Sequence, residues 1–173
     1  MSVAMDIIDT FISNRKFVRV SLNQIKSYSY GLSKDIMKRS GRPSSILYIE
    51  RGGMVVARLL SDMLGVKNVS GINANYYTGI NERSAKVSIG EMPRLGKLSG
   101  YVLIVDDVAD TGKTLQAVSN AISSSKKVNI MTCTLFYKSR SVIKPDFYER
   151  EISNEKWIIF EYEENEFREK LKQ

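Results

Sequence analysis

The stretch from Tyr101 to Val118, YVLIVDDVADTGKTLQAV, constrains the fold more than any other part of the chain. Tyr101 to Val105 is an apolar, β-branched run without alternation, the pattern of a strand buried on both faces of a parallel sheet. Asp106 and Asp107 follow at its carboxyl end. Asp110-Thr111-Gly112-Lys113-Thr114 then leads into a helix whose apolar residues Leu115, Val118 and Ile122 recur three and four apart. Strand, acidic turn, small-residue loop and helix, in that order, predict an α/β fold with its ligand crevice at the carboxyl end of this strand. Helix N–H groups and the positive dipole end stabilise an anion there. The paired carboxylates can hold sugar hydroxyls or a divalent cation.

Two familiar motifs do not fit. A P-loop reading of Gly112-Lys113-Thr114 requires a glycine at position 107, which is Asp. No GxGxxG turn follows the strand either, so the dinucleotide fingerprint is missing. The run VLIVDDVADTGKT, Val102 to Thr114, does have an apolar strand, two acids, two variable residues, Asp-Thr-Gly and a hydroxyl residue. In this it resembles the 5-phosphoribosyl diphosphate (PRPP) loop of type I phosphoribosyltransferases. An ordinary capped strand-to-helix turn does not need three carboxylates around one loop.

The chain has 173 residues, 43% of them apolar, enough for one full core and most simply one domain. Its net charge of +7 suits nucleic acid, a membrane surface or a small polyanion. Lys and Arg are scattered among acids rather than gathered in a run, so a polyphosphate ligand accounts for the sign equally well. Histidine is absent from the sequence, which excludes His-based triads and His-ligated metals. The single cysteine, Cys133, sits in a β-branched run, reads as a buried apolar residue and predicts a reducing compartment. No stretch has the apolar length of a membrane span, and the N-terminal residues lack the basic and apolar regions of a signal peptide. A cytoplasmic location is expected.

The first 16 residues, a short helix or an arm, carry no readable chemistry. Phe17 to Val20 is a possible edge strand. Ser21 and Gln24 form a capping box ahead of a packing helix with Ile25, Tyr28, Leu32 and Ile36 on its apolar face, ending near Gly41 and Pro43. Ile46 to Ile49 predicts a strand, and Glu50-Arg51-Gly52-Gly53 opens a helix closed by Gly65. Glycines after a strand let backbone approach a ligand and Arg51 adds a guanidinium, so this turn is either a second anion site or a plain turn. Val69 to Ala74 predicts a strand. From Asn75 to Ser99 periodicity is lost, as in a lid, a disordered segment or a solvated hairpin. Val128 to Tyr137 is a further strand that brings Lys138 to its end, Asp146 to Ile152 another, and Lys156 to Phe160 holds the only Trp. Trp157 offers a flat face to a heterocycle or packs in a core. Glu163 to Gln173 predicts a short exposed helix.

The resemblance covers about Ile46 to Phe160 and implies a type I phosphoribosyltransferase fold. That fold is a parallel twisted sheet flanked by helices, in a single domain over 1–173, with a core of about 17–137 and a C-terminal base-binding hood of about 138–165. It implies that Asp106, Asp107, Ala109, Asp110, Thr111, Gly112, Lys113 and Thr114 bind the ribose and 5′-phosphate, with Asp110 the catalytic base. Glu50, Arg51 and Gly52 bind pyrophosphate, with strain at a cis Glu50-Arg51 bond. Arg83, in the catalytic flexible loop, supplies its basic contact, with Lys86 the weaker candidate. Lys138, Trp157 and Ile158 resemble the hood of 6-oxopurine enzymes, in which a Lys donates to O6 and an aromatic covers the ring. Related enzymes often continue Phe-Pro-Trp-Glu where this chain has Phe160-Glu161-Tyr162-Glu163. The implied reaction moves the phosphoribosyl group of PRPP to N9 of hypoxanthine, guanine or xanthine. The implied cofactor is Mg²⁺, held mostly by substrate oxygens and water with Asp106 and Asp107 at hand. Homodimerisation and no nucleic-acid or membrane partner are expected. An adenine or pyrimidine phosphoribosyltransferase, or a PRPP-sensing regulator of the same fold, is the alternative.

Overall fold

A computed structural model describes residues 16–77, 86–91, 100–125 and 128–170. The expectations placed on residues 1–15, on Arg83 and on most of the 75–99 connection fall outside these residues.

Eight strands and four helices alternate as expected of an α/β chain: β1 (Phe17–Val20), α1 (Leu22–Ser40), β2 (Ser45–Glu50), α2 (Gly53–Leu64), β3 (Val69–Tyr77), β4 (Lys86–Ile89), β5 (Tyr101–Ala109), α3 (Lys113–Ser125), β6 (Asn129–Lys138), β7 (Phe147–Ile152), β8 (Trp157–Phe160) and, after a 3₁₀ turn at Glu161–Glu163, α4 (Glu164–Lys170). The capping box that starts α1 is formed. The Ser21 Oγ accepts from the Gln24 N–H at 3.2 Å, and the Gln24 side chain accepts from the Ser21 N–H at 2.9 Å. Gly65 ends α2 in the left-handed conformation.

The main sheet has six strands in the order β4-β3-β2-β5-β6-β7, parallel except for β4. Its centre is β5, whose Tyr101 to Val105 are all buried. Each fully buried Val, Leu or Ile there contributes about 1.5–3 kcal/mol. The apolar side chains divide between two clusters, as a sheet covered on both sides requires. One joins Ile25, Leu32 and Ile36 of α1 to Val56, Ala57 and Leu60 of α2. The other joins Val102 and Ile104 to Leu115, Val118 and Ile122 of α3. Neighbouring β2 and β5 therefore send their following helices to opposite clusters, and the turns after them part to open a crevice, the topological switch point of a doubly wound sheet.

Four expectations change. The strand expected to stop at Val105 runs on to Ala109, so Asp106 and Asp107 lie within β5 and not in a turn after it. β3 runs past Ala74 to Tyr77, and Lys86–Ile89 pairs with it antiparallel, from Ala74↔Ile89 to Tyr77↔Lys86, which is the hairpin among the readings of the 75–99 connection. The Phe17–Val20 strand is no edge of the main sheet: it pairs parallel with β8 in a separate two-stranded sheet. Finally, the C-terminal helix is packed and not exposed, with Phe167 edge-on to Phe17 and Glu164 only 14% exposed beside Arg19. The segment 138–165 thus contributes β7 to the main sheet and β8 to the small one. No helix among the described residues is long and apolar enough to cross a membrane. Cys133 is fully buried, and burial pushes its thiol pKa up.

Candidate active site

The loop after β5 is fixed by Gly112, which adopts φ +71° in the left-handed region. A Cβ there would strike Ser141 Oγ and come within 3.2 Å of the Ile143 backbone nitrogen. The 139–143 turn therefore closes against the loop, and the Val142 N–H donates to the Thr111 carbonyl at 2.9 Å. With α3 beginning at Lys113, the first turn of the helix faces a small cavity of about 90 Å³ lined by Asp106, Ala109, Asp110, Thr111, Gly112 and Thr114. Two hydroxyls and the start of a helix suit it to one phosphate group. Lys113 is exposed on the helix and does not line this cavity.

Successive residues of a strand face opposite sides, and this separates the two acids of β5. Asp106 looks toward the phosphate cavity, Asp107 toward the spaces on the other side. Desolvation holds the Asp106 carboxyl well above the ordinary carboxylate range, with the neighbouring Asp107 charge adding to the effect. Asp107 is also raised by desolvation, while the Tyr162 hydroxyl, donating to its Oδ2 at 2.8 Å, pulls the other way. Burial, and then the Asp107 charge, push the Tyr162 phenol pKa up, so it remains a donor. The same hydroxyl is 3.4 Å from the Gly52 carbonyl oxygen. A Cβ on Gly52 would lie 2.5 Å from Asp107 Cγ, so glycine lets the turn after β2 pack directly against the Asp107 carboxylate of β5. No metal-ligating cluster of three or more exists among the described residues. Two carboxylates fit an ion that takes most of its oxygens from substrate and water.

Beyond Asp107 opens a cavity of about 180 Å³ lined by Asp110, Lys138, Trp157, Ile158, Phe160 and Glu163, among others. Lys138 is the last residue of β6 and only 4% of its side chain is exposed. Its Nζ lies 3.1 Å from Asp110 Oδ2. The Arg140 Nε donates to the other Asp110 oxygen at 2.6 Å. The carboxylate is thus held between two cations at the boundary of the phosphate and the apolar cavities. Trp157 is 55% exposed, with Ile158 buried beside it. Such a space accepts a flat heterocycle, with a donor at one end and a carboxylate at its inner edge.

The third cavity, about 620 Å³, is lined by Glu50, Arg51, Gly52, Asp107, Tyr162 and Glu166, among others. The Glu50–Arg51 peptide bond is cis. Glu50 accepts from the Asn73 amide at 3.2 Å, while Arg51 reaches across to Glu166 Oε2 at 2.7 Å. All the expected site residues among the described ones therefore gather along one crevice, apart from Lys113. Arg140, Glu163 and Glu166 escaped the sequence reading. Arg140 had one available signal, its place two residues after Lys138 beyond a buried strand.

Comparison with known proteins places the geometry in context. The chain matches the phosphoribosyl transferase domain over residues 21–166. A purine phosphoribosyltransferase from Pyrococcus horikoshii Ot3 superposes with a TM-score of 0.72 at 30% identity, over 85% of this chain and 94% of that one. The xanthine-guanine-hypoxanthine phosphoribosyltransferase of Helicobacter pylori gives a TM-score of 0.78 at 25% identity, over 90% and 99%. A xanthine-guanine phosphoribosyltransferase of Gluconobacter oxydans (strain 621H) is 24% identical over 148 residues, 85% of this chain and 84% of its own.

Proposed function

The chain belongs to the phosphoribosyl transferase domain family, and on that premise we propose that it is a purine phosphoribosyltransferase of salvage, joining the phosphoribosyl group of PRPP to N9 of a 6-oxopurine. The observation that carries this reading is the buried Lys138 ammonium, 3.1 Å from Asp110, at the end of a cavity sized for one heterocycle.

In the reaction the N9–C1′ bond forms as the C1′–oxygen bond to pyrophosphate breaks. The turn from Asp110 to Thr114 holds the 5′-phosphate through backbone N–H groups and the Thr111 and Thr114 hydroxyls. Asp106 and Asp107 accept from the ribose hydroxyls, and their charge favours the oxocarbenium character that develops at C1′. Lys138 donates to the purine O6, Trp157 covers the ring and Ile158 lines its edge. Asp110 accepts a hydrogen bond from the base at N7 and takes up its proton as general base. Glu50, Arg51 and Gly52 line the pyrophosphate space, and the family resemblance assigns Arg83 a further basic contact there. Asp106 and Asp107 would hold Mg²⁺, which when bound neutralises charge on the leaving group. The remaining acceleration comes from positioning two bound reactants. We further propose a homodimer in the cytoplasm, supported by family analogy and by the free, buried Cys133.

A base panel tests the reading: pyrophosphate release is measured with PRPP and, in turn, hypoxanthine, guanine, xanthine, adenine and uracil. Release with the 6-oxopurines and little with adenine is expected, because an ammonium donor mismatches a 6-amino group. Lys138→Ala should raise KM for the purine about tenfold or more, the worth of one charge-assisted hydrogen bond, with KM for PRPP little changed. Release with adenine or uracil alone would overturn the assignment, and PRPP binding without turnover on any base would leave a sensor.

A further inference from the structure

Between β1, α1 and the end of β7 lies another opening, about 390 Å³, which the proposed chemistry does not use. Val18 and Val20 of β1, Tyr28 of α1, Phe136 of β6, Arg150 near the end of β7 and Lys156 before β8 form its walls. The floor is aromatic. Tyr28 and Phe136 meet edge to face with ring centroids 5.8 Å apart, and Phe136 is 2% exposed.

The rim is cationic. Arg19 is matched by Glu164. Arg150 and Lys156 form no ion pair with a described residue. The Arg150 guanidinium instead lies 5.7 Å from the centroid of the Tyr28 ring. The carboxylate that lines the opening, Glu151, leaves the balance positive. Arg150 is exposed, so its guanidinium is open to an anion arriving from solvent. Inorganic phosphate would satisfy the two cations and leave the apolar floor wet. The volume lies in the range of about 300–1,000 Å³ usual for small-molecule sites.

We propose that this cavity is a second ligand site, taking a nucleoside monophosphate with its phosphate against Arg150 and Lys156 and its base beside the partly buried Tyr28 ring, with Phe136 buried behind it. The inference goes beyond the assigned reaction and does not rest on it. No bond is made or broken there.

The test uses adenosine 5′-monophosphate, whose 6-amino group mismatches Lys138 in the base cavity, titrated into the ¹⁵N-labelled full chain. Movement of the backbone amides of Val18, Arg19, Tyr28 and Ser153 is expected. The affinity read from them should fall about tenfold in Arg150→Ala and in Lys156→Gln, the effect of losing one charged partner, and stay unchanged in Thr114→Ala. Lys156→Gln leaves the Arg150–Tyr28 contact in place, so the inference is testable even if Arg150→Ala disturbs the fold. Movement confined to Asp110–Thr114, or affinities equal in both variants and the parent, would overturn the site. Inorganic phosphate binding as tightly as the nucleotide would overturn its nucleoside specificity.

Discussion

The Lys138 ammonium and the Asp110 carboxylate, 3.1 Å apart, join a side chain 4% exposed to one 39% exposed. A buried ammonium requires an acceptor and hydrogen-bond partners. Asp110 supplies one while its second oxygen is taken by Arg140. On the proposed reading, a purine entering between Lys138 and Asp110 would replace this contact with its own acceptor at O6 and its own partner at N7, so the cavity carries the polarity that such a base requires.

Asp110→Asn should reduce kcat by on the order of a hundredfold or more, the usual worth of a positioned acid or base, while KM for PRPP stays nearly constant. Steady-state kinetics with each substrate varied would decide. Turnover equal to the parent would remove Asp110 as the base.

Gly52→Ala tests the close packing of the turn after β2 against Asp107 of β5. Gly52 has φ −58° and ψ −44°, which alanine adopts without strain, so the backbone is not the obstacle. The added Cβ would lie 2.5 Å from Asp107 Cγ and drive the carboxylate from its place against Tyr162. KM for PRPP should rise at least tenfold, with little loss in the far-ultraviolet circular dichroism spectrum. A functional Gly52→Ala enzyme would mean that Asp107 need not stay where it lies.

The buried acids predict a pH dependence. Burial raises the folded-state pKa of Asp106 above its unfolded value of 3.8, so between the two values the folded chain binds the extra proton. Its stability is therefore greatest at or below about pH 4 and falls as pH rises through the folded value. Asp106→Asn removes this loss. In urea titrations of the free protein the variant should gain on the parent as pH rises above about pH 4, while losing activity. A difference that does not change with pH would show that Asp106 ionises as freely as in the unfolded chain.

Glu166→Gln should free Arg51 for pyrophosphate. The pair is exposed, 80% and 41% for the two side chains, which limits its strength to about 1 kcal/mol. KM for PRPP should fall by no more than about fivefold, and the effect should shrink in high salt. An unchanged KM at low salt would mean that Glu166 does not compete with the ligand.

Sequence and structure agree where local physics decides. Ser21 and Gln24 announce the start of α1 through a capping box, and Gly65 the end of α2 through its left-handed conformation. The Asp-Thr-Gly loop is readable because Gly112 alone fits against the 139–143 turn. Disagreement arises where distant groups decide. Carboxylates are poor strand residues, so β5 reads as ending at Val105, yet hydrogen bonding to β6 carries it on through Asp106, Val108 and Ala109. The short strand β4 puts only Ile89 against the core cluster, too little for a periodic signal, and is defined by pairing with β3. Arg51 and Glu166, or Tyr162 and Asp107, meet only once the C-terminal turn folds over the crevice, and nothing in either local sequence announces the other.

The parallel ladder between β1 and β8, from Phe17↔Trp157 to Val20↔Phe160, has a consequence for biosynthesis. The phosphate-binding half of the crevice is complete once the 139–143 turn has been translated, but the wall that receives the heterocycle waits for residues 157–160. Synthesis therefore delivers the seat of the nucleobase after the grip on the sugar, and ties it to the first described strand of the chain.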